Sequence, residues 1–246
     1  MSDQHPGALM ETETQSHPGR AATLVVAILV PVNVIDVRVA HAALVVGPAT
    51  AAGLVLIARR AGLSWADLGL GPGTWRRGLA WAGVIIGAVA VVFAVGAALP
   101  LTRNSFRDTR YDLGWGALLT AFVLIPLGTI LLEEIAFRGV LWGLLRRWRG
   151  PWVATTISSL LFGLWHVLSS LHLAADNQAV GQAVGGGRSG QVLSVLGTVL
   201  FTAASGVVFC ELRRRSGSLL APAGLHWATN ALGVLASSAV WAWGTR

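Results

Sequence analysis

The sequence predicts an all-α polytopic membrane protein with about seven transmembrane helices. Three observations carry that prediction. The 246 residues are 54% hydrophobic and only 12% charged, with 11 Trp and 30 Gly. Apolar runs of about 20 residues recur along the chain, the length a helix needs to cross a hydrocarbon core of about 30 Å. The charges that do occur gather where those runs end.

The kind of charge narrows the function classes. All 18 basic residues are Arg and none is Lys, which excludes a P-loop lysine, a Schiff-base enzyme and a Ser–Lys hydrolase. The net charge of +7 sits at the ends of apolar runs, where membrane topology explains it; no nucleic-acid partner is expected. The single Cys210 permits neither an intrachain disulfide nor a cysteine zinc cage, and is expected to pack as a small apolar residue.

In order, residues 1–20 are polar and lack an apolar period, so they predict a disordered cytoplasmic tail in which His5 and His17 have no role. Acids rather than bases precede the first apolar run, which argues for a retained span over a cleaved signal peptide. Residues 21–112 hold three transmembrane helices and their loops. These are Ala21–Val37, interrupted by Pro31 and ending at Asp36 and Arg38; Val39–Ala58, with His41 and Pro48; and Leu79–Leu99. The loop Arg59–Gly78 carries four arginines and a glycine-rich turn cluster.

Residues 113–246 hold the remaining four. Leu113–Leu145 is near 50 Å long as a helix, against about 30 Å of hydrocarbon, and must tilt, protrude or kink at Pro126 and Gly128. Arg146, Arg147 and Arg149 end it. Pro151–Leu173 is the fifth span, Gln191–Leu212 the sixth and Ser218–Trp243 the seventh, with Arg213–Arg215 between the last two. The Ala174–Gly190 loop is polar and glycine-rich and shows no chemistry. The positive-inside rule places Arg59–Arg77, Arg146–Arg149 and Arg213–Arg215 on one side, which sets the N-terminus in the cytoplasm and the protein in the cell membrane.

The residues that do not belong in a membrane mark the site. Glu133 and Glu134 lie in the fourth run with Arg138, and an intramembrane ionisable residue is a functional-site hypothesis by default. At about 100° per residue, Glu134 and Arg138 share one helix face, acid first, and are expected to pair. Glu133 points about 140° away and is left for another partner. Measured from the arginine ends at 1.5 Å per residue, Glu133, His166, His226 and Asn230 lie roughly 20, 22, 16 and 22 Å deep. Four polar groups on three helices at one depth predict one site.

Two chemistries suit that set. A carboxylate with an imidazole activates water while an amide N–H stabilises the oxyanion that follows. Alternatively, Glu133, His166 and His226 supply a three-ligand zinc site with water in the open position. Both are hydrolytic. His172 and the many tryptophans fit the membrane interfaces instead.

At these residues the sequence resembles the CAAX-processing and bacteriocin-immunity (CPBP, or Abi) family of intramembrane proteases. Glu133, Glu134 and Arg138 match its Glu-Glu-x-x-x-Arg motif, Phe162 and His166 its Phe-x-x-x-His, and His226 and Asn230 its His-x-x-x-Asn. The resemblance covers Leu113–Val240 and implies that the last four transmembrane helices, within residues 113–246, form a catalytic core. It implies an intramembrane endopeptidase acting on a membrane-associated or lipidated peptide in the bilayer. It also implies Glu133 as the catalytic glutamate, His166 as its partner in water activation, His226 and Asn230 as the oxyanion side, and Glu134 with Arg138 shaping the site. Zinc is compatible with the resemblance, as is a metal-free glutamate mechanism. The competing reading is a non-hydrolytic membrane protein, either a binding or immunity factor or a proton-coupled carrier, using the same buried groups. Absence of His-Glu-x-x-His and Gly-x-Ser-x-Gly argues against an ordinary zincin and a rhomboid-type serine protease.

Overall fold

The computed structural model describes residues 17–39, 42–108 and 114–244, and every regular element among them is helical. Seven long helices build the bundle: α1 (Pro18–Arg38), α2 (Ala43–Arg60), α3 (Trp75–Ala98), α4 (Gly116–Arg149), α5 (Pro151–Trp165), α6 (Gly187–Ser216) and α7 (Leu220–Gly244). Outward faces carry exposed Val84, Val91, Leu200 and Phe201, the surface that hydrocarbon rather than water would cover.

Five of these, α1, α2, α3 (extended back to Pro72), α4 and α6, are long and apolar enough to cross a membrane. The fifth and seventh expected spans fall short for separate reasons. The sequence predicts a run to Leu173, but α5 stops at Trp165 after 15 residues. The His166 ring Nδ1 lies 2.8 Å from the Phe162 carbonyl that the next helical turn would use. The His166 backbone N–H bonds instead to Gly163 O at 3.1 Å, tightening the turn and ending the helix. In α7 the length suffices, but His226, Thr229, Asn230 and Ser237 dilute its apolar character.

The first helix also begins earlier than expected, at Pro18. His17 caps it, its Nδ1 accepting from Gly19 N at 3.1 Å, and its ring meets Trp148 edge-on at 5.9 Å. His17 is therefore structural rather than idle. Most of the expected tail, including His5, lies outside the described residues, as does His41.

The kink expected in α4 takes the form of three wide π-helical turns, Thr120–Leu124, Pro126–Ile130 and Glu134–Leu141. Pro126 has no N–H to give the ladder, which favours such local rewinding. Small residues set the helix spacing elsewhere. A Cβ on Gly224 would meet Ala82 where α7 crosses α3, and one on Gly163 or Gly206 would meet Val199 O or Ser159 where α5 crosses α6.

The three arginine clusters meet at one end of the bundle, as expected, and the loop of residues 61–71 is what they meet on. Arg147 donates to Gly62 O at 2.7 Å, Arg146 pairs with Asp67 at 2.6 Å, and Arg213 donates to Ala66 O and Asp67 O at 3.1 and 2.9 Å. Leu219 N, just before α7, donates to Gly69 O at 3.0 Å. Gly69 holds φ +75°, and a Cβ there would collide with the Arg213 guanidinium. Burial alone would raise the Asp67 carboxyl, but hydrogen bonds from Ser64 and the charges of Arg146 and Arg147 outweigh it and hold Asp67 below its ordinary value. At the other end, Asp108 N contacts Ser237 Oγ at 3.3 Å, Trp241 donates to Asp108 O at 3.2 Å, and Asn177 donates to the Asp108 carboxylate at 3.3 Å.

Candidate active site

Glu133, just before the last wide turn of α4, and Glu134 and Arg138 within it are all buried, at 5, 3 and 0% exposure. Glu134 and Arg138 form the expected i,i+4 pair, Oε1 to Nη1 at 3.3 Å. The arrangement is larger than a pair. His226 on α7, itself 4% exposed, places Nδ1 2.8 Å from the same Glu134 oxygen. Its Nε2 lies 3.6 Å from Glu133 Oε2, so one imidazole spans both glutamates.

Aromatic rings close the back of this cluster. The Arg138 guanidinium lies 3.8 Å from the Phe162 ring centre and 4.6 Å from that of Phe209. Phe209 in turn stacks on His226 at 5.2 Å. A desolvated guanidinium between two rings gains cation–π attraction that partly replaces its lost hydration.

Glu133 is the carboxylate that reaches open space. A cavity of about 690 Å³ is lined by Glu133, Trp165, His166 and Asn230, with Asn33 and Asp36 contributed by α1. Glu134, Arg138 and His226 do not line it. Trp165 Nε1 donates to Glu133 Oε1 at 2.8 Å, and Asn33 Nδ2 donates to Trp165 O at 2.8 Å. Glu133 Oε2 accepts no hydrogen bond. Of the predicted residues, then, Glu133, His166 and Asn230 share the cavity, whereas Glu134, Arg138 and His226 stand behind it.

The carbonyl that ended α5 also assigns the His166 tautomer. A carbonyl oxygen only accepts, so the Nδ1 facing Phe162 O must carry the proton, and in the neutral ring Nε2 keeps the lone pair. Among the described residues no three His, Cys, Asp or Glu side chains group as metal ligands. Glu133 and His226 approach each other, but His166 does not join them as a third donor.

Trp165 and Phe209 were not singled out from the sequence. Trp165 had one usable signal, an indole N–H immediately before His166 that needs an acceptor in an apolar setting. Phe209 occupies an ordinary apolar position of α6 and offers none. Asp36, seen only as the end of the first run, was the more legible omission.

A carboxylate, an imidazole with a free lone pair and a primary amide around one cavity, inside a bundle of membrane-length helices, define the class: a polytopic α-helical membrane protein with an ionisable centre in its core. Residues 114–232 match the family described as type II CAAX prenyl endopeptidase Rce1-like. That match is consistent with the resemblance to CPBP proteins read from the three motifs, and the Rce1-like family is a protease family. No curated protein and no solved structure gives a match to the chain.

Proposed function

We propose that the protein is an intramembrane endopeptidase that cleaves a membrane-associated or lipidated peptide with a water activated by Glu133 and His166. The observation that carries this reading is the division within the glutamate pair. Glu134 is committed to Arg138 and His226, whereas Glu133 lines the cavity and its Oε2 accepts no hydrogen bond. A base must reach both its water and open space where a peptide can lie, and only Glu133 of the two does so.

In the proposed reaction, water held between Glu133 and His166 Nε2 loses a proton to the carboxylate and attacks the peptide carbonyl. Asn230 donates its amide N–H to the resulting oxyanion. The proton passes to the departing amine, and the 3.6 Å contact between Glu133 Oε2 and His226 Nε2 offers a place to hold it in transit. His226, Glu134 and Arg138 act by positioning Glu133, not by touching substrate. Zinc would be an addition to this scheme. Cleavage by the detergent-purified protein is expected to survive chelation; loss on chelation with recovery on adding zinc would replace the metal-free version.

A proton-coupled carrier would use the same ionisable groups, but it needs access to them from both ends in turn. The cavity walls run from Glu133 towards Asp108 and Asn177, and a carrier would need a second arrangement that opens the glutamates to the arginine end.

Two predictions arise here. Losing one oxyanion donor commonly lowers the rate by about 10²–10³, so Asn230→Ala is expected to retain weak, measurable turnover. A rate equal to wild type would remove Asn230 from the mechanism. We also propose that the arginine end faces the cytoplasm of a cell-membrane protein whose N-terminus lies on that side. In a Cys210→Ala background, an impermeant thiol reagent added to intact cells is expected to label Ser189→Cys but not Arg215→Cys. Both positions are exposed and lie at opposite ends of α6. The reverse pattern would invert the protein in the membrane.

A further inference from the structure

The catalytic reading leaves two ionisable groups of the cavity unused, Asp108, whose carboxylate accepts from Asn177 Nδ2 at 3.3 Å, and Asp36. Asp36, near the end of α1, lines the same space as Glu133, and its Oδ1 is buried and accepts no hydrogen bond. We infer that Asp36 is a specificity-determining residue that takes a cationic side chain of the substrate, an Arg or Lys beside the scissile bond.

The argument is one of charge inventory. Glu133, Glu134, Arg138 and His226 form the buried cluster, and even with a proton on His226 their charges only cancel. Asp36 stands outside that cluster, on the cavity wall. The described wall contains no arginine. Arg138 is sealed behind Glu134 and the rings of Phe162 and Phe209. Arg146, Arg147 and Arg213 are held on the loop at the far end. Arg38, two residues beyond Asp36, is exposed and forms no part of the wall.

A carboxyl group on a cavity wall whose described residues include no arginine is complementary to a cation brought by a ligand. It also disfavours a ligand carboxylate, such as a free chain terminus, at the same point. Glu133 strengthens this selection, since it lines the same space as a second carboxyl group. Asp36 is thus placed to set which residue stands next to the attacked carbonyl.

This inference rests on the endopeptidase reading for its biological meaning, but its test reads binding separately from cleavage. Full-length protein in detergent is titrated with fluorescent apolar peptides carrying one Arg at successive positions, each beside a counterpart in which neutral citrulline replaces that Arg. Anisotropy gives Kd, and cleavage is followed on the same samples. At one Arg position, wild type is expected to bind the Arg peptide about tenfold more tightly than its citrulline counterpart. Asp36→Asn brings that ratio close to one, and Asp36→Glu restores most of it. Thermal unfolding of each variant confirms that the compared proteins are folded.

Equal binding of Arg and citrulline peptides at every position by wild type overturns the inference, as does an Arg preference that survives in folded Asp36→Asn. An Asp36-dependent preference without cleavage of any peptide supports the binding role while removing the protease reading. Cleavage without charge preference does the reverse.

Discussion

Glu133→Gln abolishes most peptide cleavage, by about 10²–10⁴-fold, the usual range for losing a positioned general base. The substitution is close to isosteric, and the Gln side-chain oxygen still accepts from Trp165 Nε1, so the local wall of Glu133 and Trp165 is kept. The loss is therefore expected in kcat, with the thermal midpoint in detergent little changed. His166→Ala is expected to give a comparable loss, because both groups hold one water. Combining the two adds far less than the product of the single effects, as for residues that act as a unit. Full cleavage by folded Glu133→Gln would remove Glu133 as the base, whereas no cleavage by the wild type would leave binding or transport for this site.

The largest effect on folding is expected at Arg138. It has no solvent exposure, pairs with Glu134 and lies between two aromatic rings. Arg138→Gln strands a buried carboxylate, which in soluble proteins costs about 3–5 kcal/mol. Glu134→Gln added to it removes that stranded charge and recovers part of the thermal stability. Recovery is incomplete for two reasons that the pair alone does not contain: the cation–π contacts are gone, and His226 Nδ1 loses the ionised oxygen it bonds at 2.8 Å. Double and single variants with the same unfolding midpoint would show that Glu134 does not depend on Arg138 for its burial.

The sequence carried the helical class, the span boundaries at the arginines and the i,i+4 pairing of Glu134 with Arg138, because each follows from helix period or from the energetics of charge in hydrocarbon. The shared location of Glu133, His166 and Asn230 was legible as equal depth. Depth, however, says nothing of azimuth. His226 and Asn230 are four residues apart and were expected to serve one side together, yet the cavity takes Asn230 while His226 turns to the glutamates. The early end of α5 was hidden because it depends on the His166 ring competing for a carbonyl, a contact that apolar periodicity does not encode. Phe209 becomes a site residue only through the relative rotation of helices distant in sequence, which sets its ring against Arg138 and His226.

The loop of residues 61–71 has a consequence for how that depth agreement is kept. Arg147 and Arg213 grip it through backbone carbonyls, and Leu219 N binds the Gly69 carbonyl. A carbonyl is the same whatever side chain follows it, so these grips read the path of the chain rather than its letters. One guanidinium nitrogen of Arg213 spans two adjacent carbonyls, and Arg146 and Arg147 fix α4 to the same stretch. Helices α4 and α6 and the start of α7 are thus all measured from a single levelling surface. Glu133 on α4 and His226 on α7 stand at matching heights because both are counted from that datum, much as floors agree when surveyed from one benchmark.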